Sequence, residues 1–339
     1  MNTYSKILGG LLGGAVADAM GAATETRSPI LIKERFGGYV KELIAAPEDT
    51  FGRGLTPVGF VTDDFSLAYF TAVEIARNKG VINDEVARNA LITWSEHPEF
   101  FDNYAGPTTR AAVMKLKGEH VETPNSFLAC DNNKATNGSA MKISPVGFVT
   151  PGDLDKTIDN VFTICKDTHF NNLCLSGASA VACAVSRAME QDADLYSVVQ
   201  AGLYGARTGM DRGNREATRL AGPSVEKRMQ LAIEIGLKYS HDWETAMLEL
   251  GDVVGSSIHI SESVPAVFGC LVATAGNPME SIYMGVNIGN DTDTVATMAG
   301  AIAGTLKGHG AFRADHLEII NKANNFNLEQ LAKDLADCL

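Results

Sequence analysis

The sequence predicts an all-α protein, and three observations carry that reading. Apolar residues recur at the helical period over most of the chain, strand-like alternation is scarce, and glycine sits inside apolar runs instead of gathering into linkers. With 339 residues, 45% of them hydrophobic and 20% charged, the chain is long and apolar enough to bury a large core. No internal repeat and no proline-rich or charged linker divides it, so residues 1–339 are expected to form a single domain, a multi-helix bundle.

In chain order, the opening "MNTYSKILGGLLGGAVADAMGA" reads as an amphipathic helix carrying Asp18, with Glu25, seven residues on, expected on nearly the same face. It imitates a signal-peptide apolar region, but Asp18 interrupts it and no clear cleavage pattern follows. The helical period then predicts helices over Ser66 to Lys79, Asp84 to Ser95, Thr108 to Leu116, Asp155 to Lys166, Ser176 to Glu190 and Leu195 to Tyr204. It continues over Val225 to Tyr239, Asp242 to Leu250, Val264 to Ala275, Met279 to Val286 and Leu328 to Ala336, with a further small-residue helix opening near Thr292 to Thr294. Two stripes of small residues, Gly9, Gly13, Ala17 and Gly21 and then Gly300, Gly304 and Gly308, recur every four positions. Each lies on one helical face and lets a neighbouring backbone come close.

Charge and cysteine usage exclude several classes. A net charge of −13 with no basic cluster argues against nucleic-acid binding, which needs an excess of Lys and Arg to neutralise phosphates. No uninterrupted apolar run reaches membrane-spanning length. The cysteines, Cys130, Cys165, Cys174, Cys183, Cys270 and Cys338, form no C-x-x-C pair and sit mostly in apolar helical sequence, which fits a reducing cytoplasm.

Two helix openings carry unusual acidity. "NIGNDTDTVATMAGAIAG" sets Asp291 and Asp293 beside Thr294, and "VTDDFSLAYF" sets Thr62, Asp63 and Asp64 ahead of another apolar helix. Capping and the helix dipole explain one acid at each start, not two. A Ca²⁺ loop of EF-hand type is excluded because Val295, Ala296 and Ile302 occupy the fifth, sixth and twelfth positions counted from Asp291. The remaining reading is one acidic site made from both openings together with Glu25, whose mutual repulsion cations would neutralise. Carboxylate and hydroxyl oxygens suit hard ions, Mg²⁺ or Mn²⁺, and four aspartates with two threonines suffice for two ions roughly 3.5–4 Å apart. From spacing alone, capping and metal binding both stand.

The segments "GGAVADAMGAATE", "TDDFSLA", "AGPTTRAAVMKLKG", "NGSAMKISPVG", "DTHFNNLCLSGASAVACAV" and "GNDTDTVATMAGAIAGTLKG" resemble, in order and spacing, those of the ADP-ribosylglycohydrolase family, which includes the dinitrogenase reductase-activating glycohydrolases. The resemblance runs over roughly residues 6–310. It implies an orthogonal all-α bundle of that type and a binuclear Mg²⁺ or Mn²⁺ hydrolase that cleaves the glycosidic bond at the anomeric carbon of ADP-ribose. By motif match, Thr62, Asp63, Asp64, Asp291, Asp293 and Thr294 would hold metal. Glu25 would handle the proton, with Asp64 or Asp293 sharing that role. Asn137, Gly138 and Ser139, in an Asn-Gly-Ser turn whose N–H groups suit a diphosphate, and His169 of "DTHFN" would contact substrate. The remaining histidines carry no such pattern.

Three positions depart from the family pattern: Phe65 follows the two aspartates where Thr is common, Lys142 replaces a frequent Arg, and Ala17 a common Gly. A phenyl ring at position 65 is expected to narrow the pocket. The partners expected are ADP-ribosylated protein or a small ADP-ribosyl or ribosyl compound. The alternatives are a metal-dependent nucleoside ribohydrolase of salvage metabolism and a catalytically silent ADP-ribose-binding protein.

Overall fold

The computed structural model describes residues 1–50, 57–121 and 132–339, and Cys130 lies outside them. Among the described residues there is no sheet, only two isolated bridges, Thr136 with His259 and Asn171 with Thr218. The all-α expectation holds. The helices are α1 (Thr3–Gly21), α2 (Pro29–Phe36), α3 (Asp63–Arg77), α4 (Asp84–Ser95), α5 (Pro98–Tyr104), α6 (Pro107–Leu116), α7 (Ser144–Phe148), α8 (Leu154–Cys165) and α9 (Asn172–Ala188). They continue as α10 (Leu195–Glu216), α11 (Val225–Lys238), α12 (Trp243–Val253), α13 (Ile260–Ala273), α14 (Pro278–Asn287), α15 (Thr292–Lys307), α16 (Ala314–Asn324) and α17 (Leu328–Ala336). Of these, α2, α5, α7 and α16 are too short or too polar to show a helical period in sequence, although α2, α5 and α7 carry Pro in their first two positions, where its missing N–H does no harm.

Two expectations about α1 are corrected. It is not amphipathic: every residue from Lys6 to Gly21 is buried, because α14, α15, α16 and α17 pack around it. Its one lysine inside that stretch, Lys6, donates from Nζ to Ala188 O at 2.7 Å, which satisfies the buried ammonium. The helix also ends at Gly21, so Glu25 stands in the turn that follows instead of on a helical face shared with Asp18.

The two glycine stripes pack on each other. A Cβ at Gly9 would come within 2.2 Å of Gly304 O, and one at Gly13 within 2.2 Å of Gly300 O, with the reciprocal approaches equally close. At the far end of the contact, a Cβ on Gly21 would lie 2.4 Å from the Cα of Asp293. Backbone therefore touches backbone along the whole of α1 and α15. A third stripe extends another helix: α10 runs twelve residues past its expected end at Tyr204, because Gly205, Gly209 and Gly213 let it lie on α9. Glycine that reads as a helix breaker is here a packing surface, with added Cβ atoms meeting Ser179 O, Leu175 O and Asn172 Cα within 2.7 Å.

Gly300→Ala should therefore destabilise strongly, since backbone cannot move aside as a side chain can. A loss of about 2–3 kcal/mol is expected, at the upper end for overpacking. Gly310→Ala, which meets nothing within 4 Å, is the control and should stay within about 0.5 kcal/mol of the parent. Chemical denaturation of both variants measures the difference.

Candidate active site

The fold brings the two acidic helix starts together with Glu25. Glu25, Asp63, Asp64, Asp291, Asp293 and Thr294 line one cavity of about 350 Å³, shared with Asn137, Gly138 and His169. One ligand oxygen from each of Glu25, Asp291 and Asp293 can be chosen so that all lie within 4.8 Å of one another.

Capping does not account for these acids, because other groups do the capping. At the start of α3, the buried Asp18 carboxylate accepts the Thr62 N–H at 3.0 Å and the Phe65 N–H at 2.8 Å. Thr62 Oγ1 takes the Asp64 N–H at 3.3 Å. The N–H groups of Thr62, Asp64 and Phe65 are thus met without the carboxylates of Asp63 and Asp64. At α15, the N-cap residue Asp291 makes no side-chain capping bond; its Oδ2 instead accepts from Asn137 Nδ2 at 2.6 Å. Asp293 Oδ1 accepts the neighbouring Thr294 N–H at 3.0 Å, and the Asp293 carboxyl also pairs with that of Asp291.

Burial and crowding raise every carboxyl pKa in the site. Glu25 is pushed up to about 7 by burial and by the charges of Asp291 and Asp18, with Arg27 opposing. Burial lifts Asp18 to about 6 against the pull of its N–H donors. Asp63, Asp64 and Asp293 are driven well above the carboxylate range by burial and then by one another. Asp291 rises less, because Asn137 and Thr294 favour its anion. Glu25 Oε2 and Asp64 Oδ1 are buried without a hydrogen-bond partner among the described residues. Buried acceptors left in that state are costly unless something outside the protein meets them, and the surrounding oxygens suit a hard divalent cation.

Three expected residues are placed differently. Ser139 is fully buried and its Oγ donates to Cys174 O at 3.3 Å, so it does not line the cavity. Thr62 is also outside the lining; its hydroxyl donates to Asp64 Oδ2 at 3.2 Å and orients that carboxylate. Phe65 does not narrow the pocket. It is buried in the core against Gly14 and Phe326, because position 65 is one residue past Asp64 and turns to the opposite side of α3. The Asn137 N–H is spent on Ile258 O at 2.9 Å and cannot join an anion cradle. His169 is held near the turn as expected: Nε2 pairs with Thr136 Oγ1 at 3.0 Å, and burial beside Lys142 lowers its pKa to about 3, so the ring is neutral. Gly138 leaves room for it, since a Cβ there would meet the imidazole at 2.9 Å.

Sequence reasoning missed part of the wall. Tyr104, at the end of α5, lines the cavity with its hydroxyl pKa raised to about 12 by burial and the nearby carboxylates. Gly106, Pro107, Thr108 and Thr109, at the start of α6, complete that side. Pro at the first helical position was the available signal for the α6 start; nothing marked Tyr104.

With this geometry in view, comparison with known proteins is decisive. The family model described as ADP-ribosylglycohydrolase matches residues 1–339. The chain belongs to that family. It is 30% identical over 335 residues to the protein YegU of Escherichia coli K12, covering 98% of this chain and 96% of that one. ADP-ribosylhydrolase ARH3 of Xenopus tropicalis is 26% identical over 90% of this chain and 87% of its own. ADP-ribosylarginine hydrolase Tri1 of Pseudomonas putida GB-1 is 25% identical over 97% and 77%. A solved structure titled as an ADP-ribosylglycohydrolase-related protein complex superposes with a TM-score of 0.66 at 20% identity, covering 98% of both chains, and shows the same fold. As a family member the chain is a hydrolase of glycosidic bonds. No described helix is long and apolar enough to cross a membrane.

The raised carboxyl pKa values give a signed pH dependence. In metal-free protein, Glu25 and Asp18 keep protons that the unfolded chain, at 4.5 and 3.8, has released. Their contribution to stability is full below about pH 4 and is lost as pH rises through about 6 to 7. A cation that binds only the ionised folded site relieves that loss. The rise in Tm on adding Mg²⁺ should therefore grow between about pH 5 and about pH 8, as read by melting curves with Mg²⁺ and with chelator. A pH-independent increment would contradict the site.

Proposed function

We propose that this chain is a metal-dependent ADP-ribosyl hydrolase acting on ADP-ribosylated protein, arginine-linked as one case, or on a free ADP-ribose conjugate. The observation that supports it most is the convergence of Glu25 with the four aspartates of two distant helix starts on one cavity, with Glu25 Oε2 and Asp64 Oδ1 unpartnered. The residues fit two Mg²⁺ or Mn²⁺ ions: Asp63, Asp64, Asp291, Asp293 and Thr294 would hold them, with Thr62 acting through Asp64. Such ions supply Lewis acidity toward the ribose hydroxyls and the attacking water.

The chain's own groups then do the following. Asn137 fixes Asp291, and Asp18 fixes the start of α3, so the carboxylates are positioned before substrate arrives. Glu25 Oε2 takes the proton of the attacking water or passes one to the leaving group, with Asp64 or Asp293 able to share the task. Positive charge developing on the sugar is stabilised by the acidic wall. His169, neutral, and the Gly138 turn contact the substrate beyond the ribose. We read residues 1–339 as one domain, since the site draws on residues from Glu25 to Thr294. Buried single cysteines such as Cys165, Cys183 and Cys270 fit a reducing cytoplasm.

One observation favours a second reading. Among the described residues lining the cavity there is no Lys or Arg to meet a diphosphate. A smaller, uncharged ribosyl compound would make no such demand, which keeps a nucleoside ribohydrolase in play. A panel of ADP-ribosyl-arginine, ADP-ribosyl-serine, O-acetyl-ADP-ribose and plain nucleosides, assayed with and without divalent metal, decides between them. Turnover of nucleosides alone would replace the first reading with the second.

Chelation should abolish turnover and Mg²⁺ or Mn²⁺ restore it, while Zn²⁺ serves poorly. Asp293→Asn keeps an acceptor for the Thr294 N–H and removes one charge from the site, so turnover should fall at least about a hundredfold. Melting in chelator should stay level or rise, because one of several mutually repelling carboxylates is gone. Near-normal turnover in that variant at saturating metal would return Asp293 to a structural role.

A further inference from the structure

Glu25 lies on an irregular turn, and the turn is held from outside by one arginine. Past the end of α1 the chain is tied to the loop before α15 by two exchanged backbone bonds, Thr26 N–H to Asn290 O at 2.7 Å and Asn290 N–H to Arg27 O at 3.0 Å. Both Thr26 (φ 64°) and Asn290 (φ 65°) stand in the left-handed region, which disfavours side chains with a Cβ and persists only where the surroundings enforce it. Those two bonds fix the backbone at Thr26 and Arg27. The Arg27 N–H meets Thr24 O at 3.3 Å and the Glu25 N–H meets Gly21 O at 3.1 Å, which leaves the Ala23 and Glu25 carbonyls to be held by something else.

The Arg27 side chain does this. The side chain is 10% exposed and its guanidinium folds back over its own turn, where Nη1 donates to Glu25 O at 3.2 Å and to Ala23 O at 3.4 Å. Nη2 is taken by Asp49, through Oδ1 at 3.0 Å and the backbone carbonyl at 3.4 Å. Arg35 holds Asp49 Oδ1 in turn at 2.9 Å. Were Arg27 an ordinary surface cation, its partner Asp49, 59% exposed, would account for it and the pair would contribute little. Instead two of its donors are spent on the carbonyls that bracket the Glu25 turn. A planar, five-donor guanidinium can make both sets of bonds at once; an ammonium cannot keep that geometry.

We propose that Arg27 is a positioning residue that sets the Glu25 carboxylate in the cavity by bonding the carbonyls of Ala23 and Glu25. It does not line the cavity and acts through Glu25, so the proposal rests on the reading of Glu25 as the proton-handling group. The outer face of the same turn, with Thr26, Arg27, Ser28 and Asn290, lines a surface concavity, so a small solute can reach the place of the lost guanidinium.

A double-substitution cycle tests this in the full-length protein. Arg27→Ala, Glu25→Gln and the pair are compared in two readouts: turnover of the conjugate that the parent hydrolyses fastest in the panel, and Mn²⁺ affinity by electron paramagnetic resonance. Arg27→Ala should lower kcat about 10- to 100-fold with KM within about threefold and recover part of kcat in millimolar methylguanidinium; because a Glu25 oxygen lies within 4.8 Å of oxygens of Asp291 and Asp293, it should also weaken Mn²⁺ several-fold. In the Glu25→Gln background it should cost nothing further in either readout, because a residue that acts only through Glu25 has nothing left to position. Asp49→Asn, which removes only the outer partner, should show a weaker form of the same pattern, and it serves if Arg27→Ala does not fold. Losses that add in the pair, or an Arg27→Ala protein with parental kcat and Mn²⁺ affinity, overturn the proposal. A fully active Glu25→Gln overturns the reading beneath it instead.

Discussion

The closest constraint in the molecule is the contact between α1 and α15, where two helices meet with almost no side chain between them. Gly9 faces Gly304, Gly13 faces Gly300, and Gly21 lies on the backbone of Asp293. Such a contact has one register, because a shift along the axis would drive a neighbouring Cβ or carbonyl into the facing backbone. It ends where the site begins. The same helix that sets the height of Asp291 and Asp293 also carries Asp18, which holds the first turn of α3 and so the height of Asp63 and Asp64. Two acidic half-sites, separated by more than two hundred residues in sequence, are thereby indexed to one rigid helix.

That indexing explains how so many acids can be kept together. Carboxylates on flexible loops would separate to relieve their repulsion, whereas these are fixed by helix starts and by hydrogen bonds from Asn137, Thr62 and backbone N–H groups. The energy of crowding is stored in the acidic cluster as raised pKa values and unpartnered oxygens. A site with this stored energy favours cations over protons as pH rises. It is also preorganised, since the groups need not move when charge arrives.

How much of this was legible in the sequence follows from what each signal depends on. The helical class, most helices and the two acidic openings rest on local periodicity and composition, which need no partner to be seen. The fold class followed from them, and the family from the resemblance of six segments in order and spacing. The all-round burial of α1 was not legible, because a glycine-rich helix with one Asp and one Lys looks one-sided until four other helices are placed around it. The expected end of α10 at Tyr204 falls short because the apolar period fades there, while Gly205, Gly209 and Gly213 continue the helix at the same spacing of four as Gly9 and Gly13. In the site, the acids, Asn137 and His169 were found by pattern. Ser139 and Phe65 were misplaced because adjacent residues on a tight turn or a helix point in different directions. Tyr104 and Arg27 had no sequence signal at all; the cavity wall gives meaning to the first and the turn around Glu25 to the second.

The packing of α1 also dictates an order of events at the ribosome. An apolar helix made first finds its matching surface, α15, only after some 270 further residues have been added, α1 ending at Gly21 and α15 starting at Thr292. At synthesis rates of roughly 5–20 residues per second the interval is about 14–54 s. Through that time a helix buried on every side in the finished fold is without its chief partner, and the Asp18 cap on α3 hangs from a helix not yet anchored. Closure of α15 onto α1 is then a late, long-range event that completes core and site together, so nascent chains that stall before residue 292 are both inactive and sticky, a natural target for chaperones that shield apolar helices.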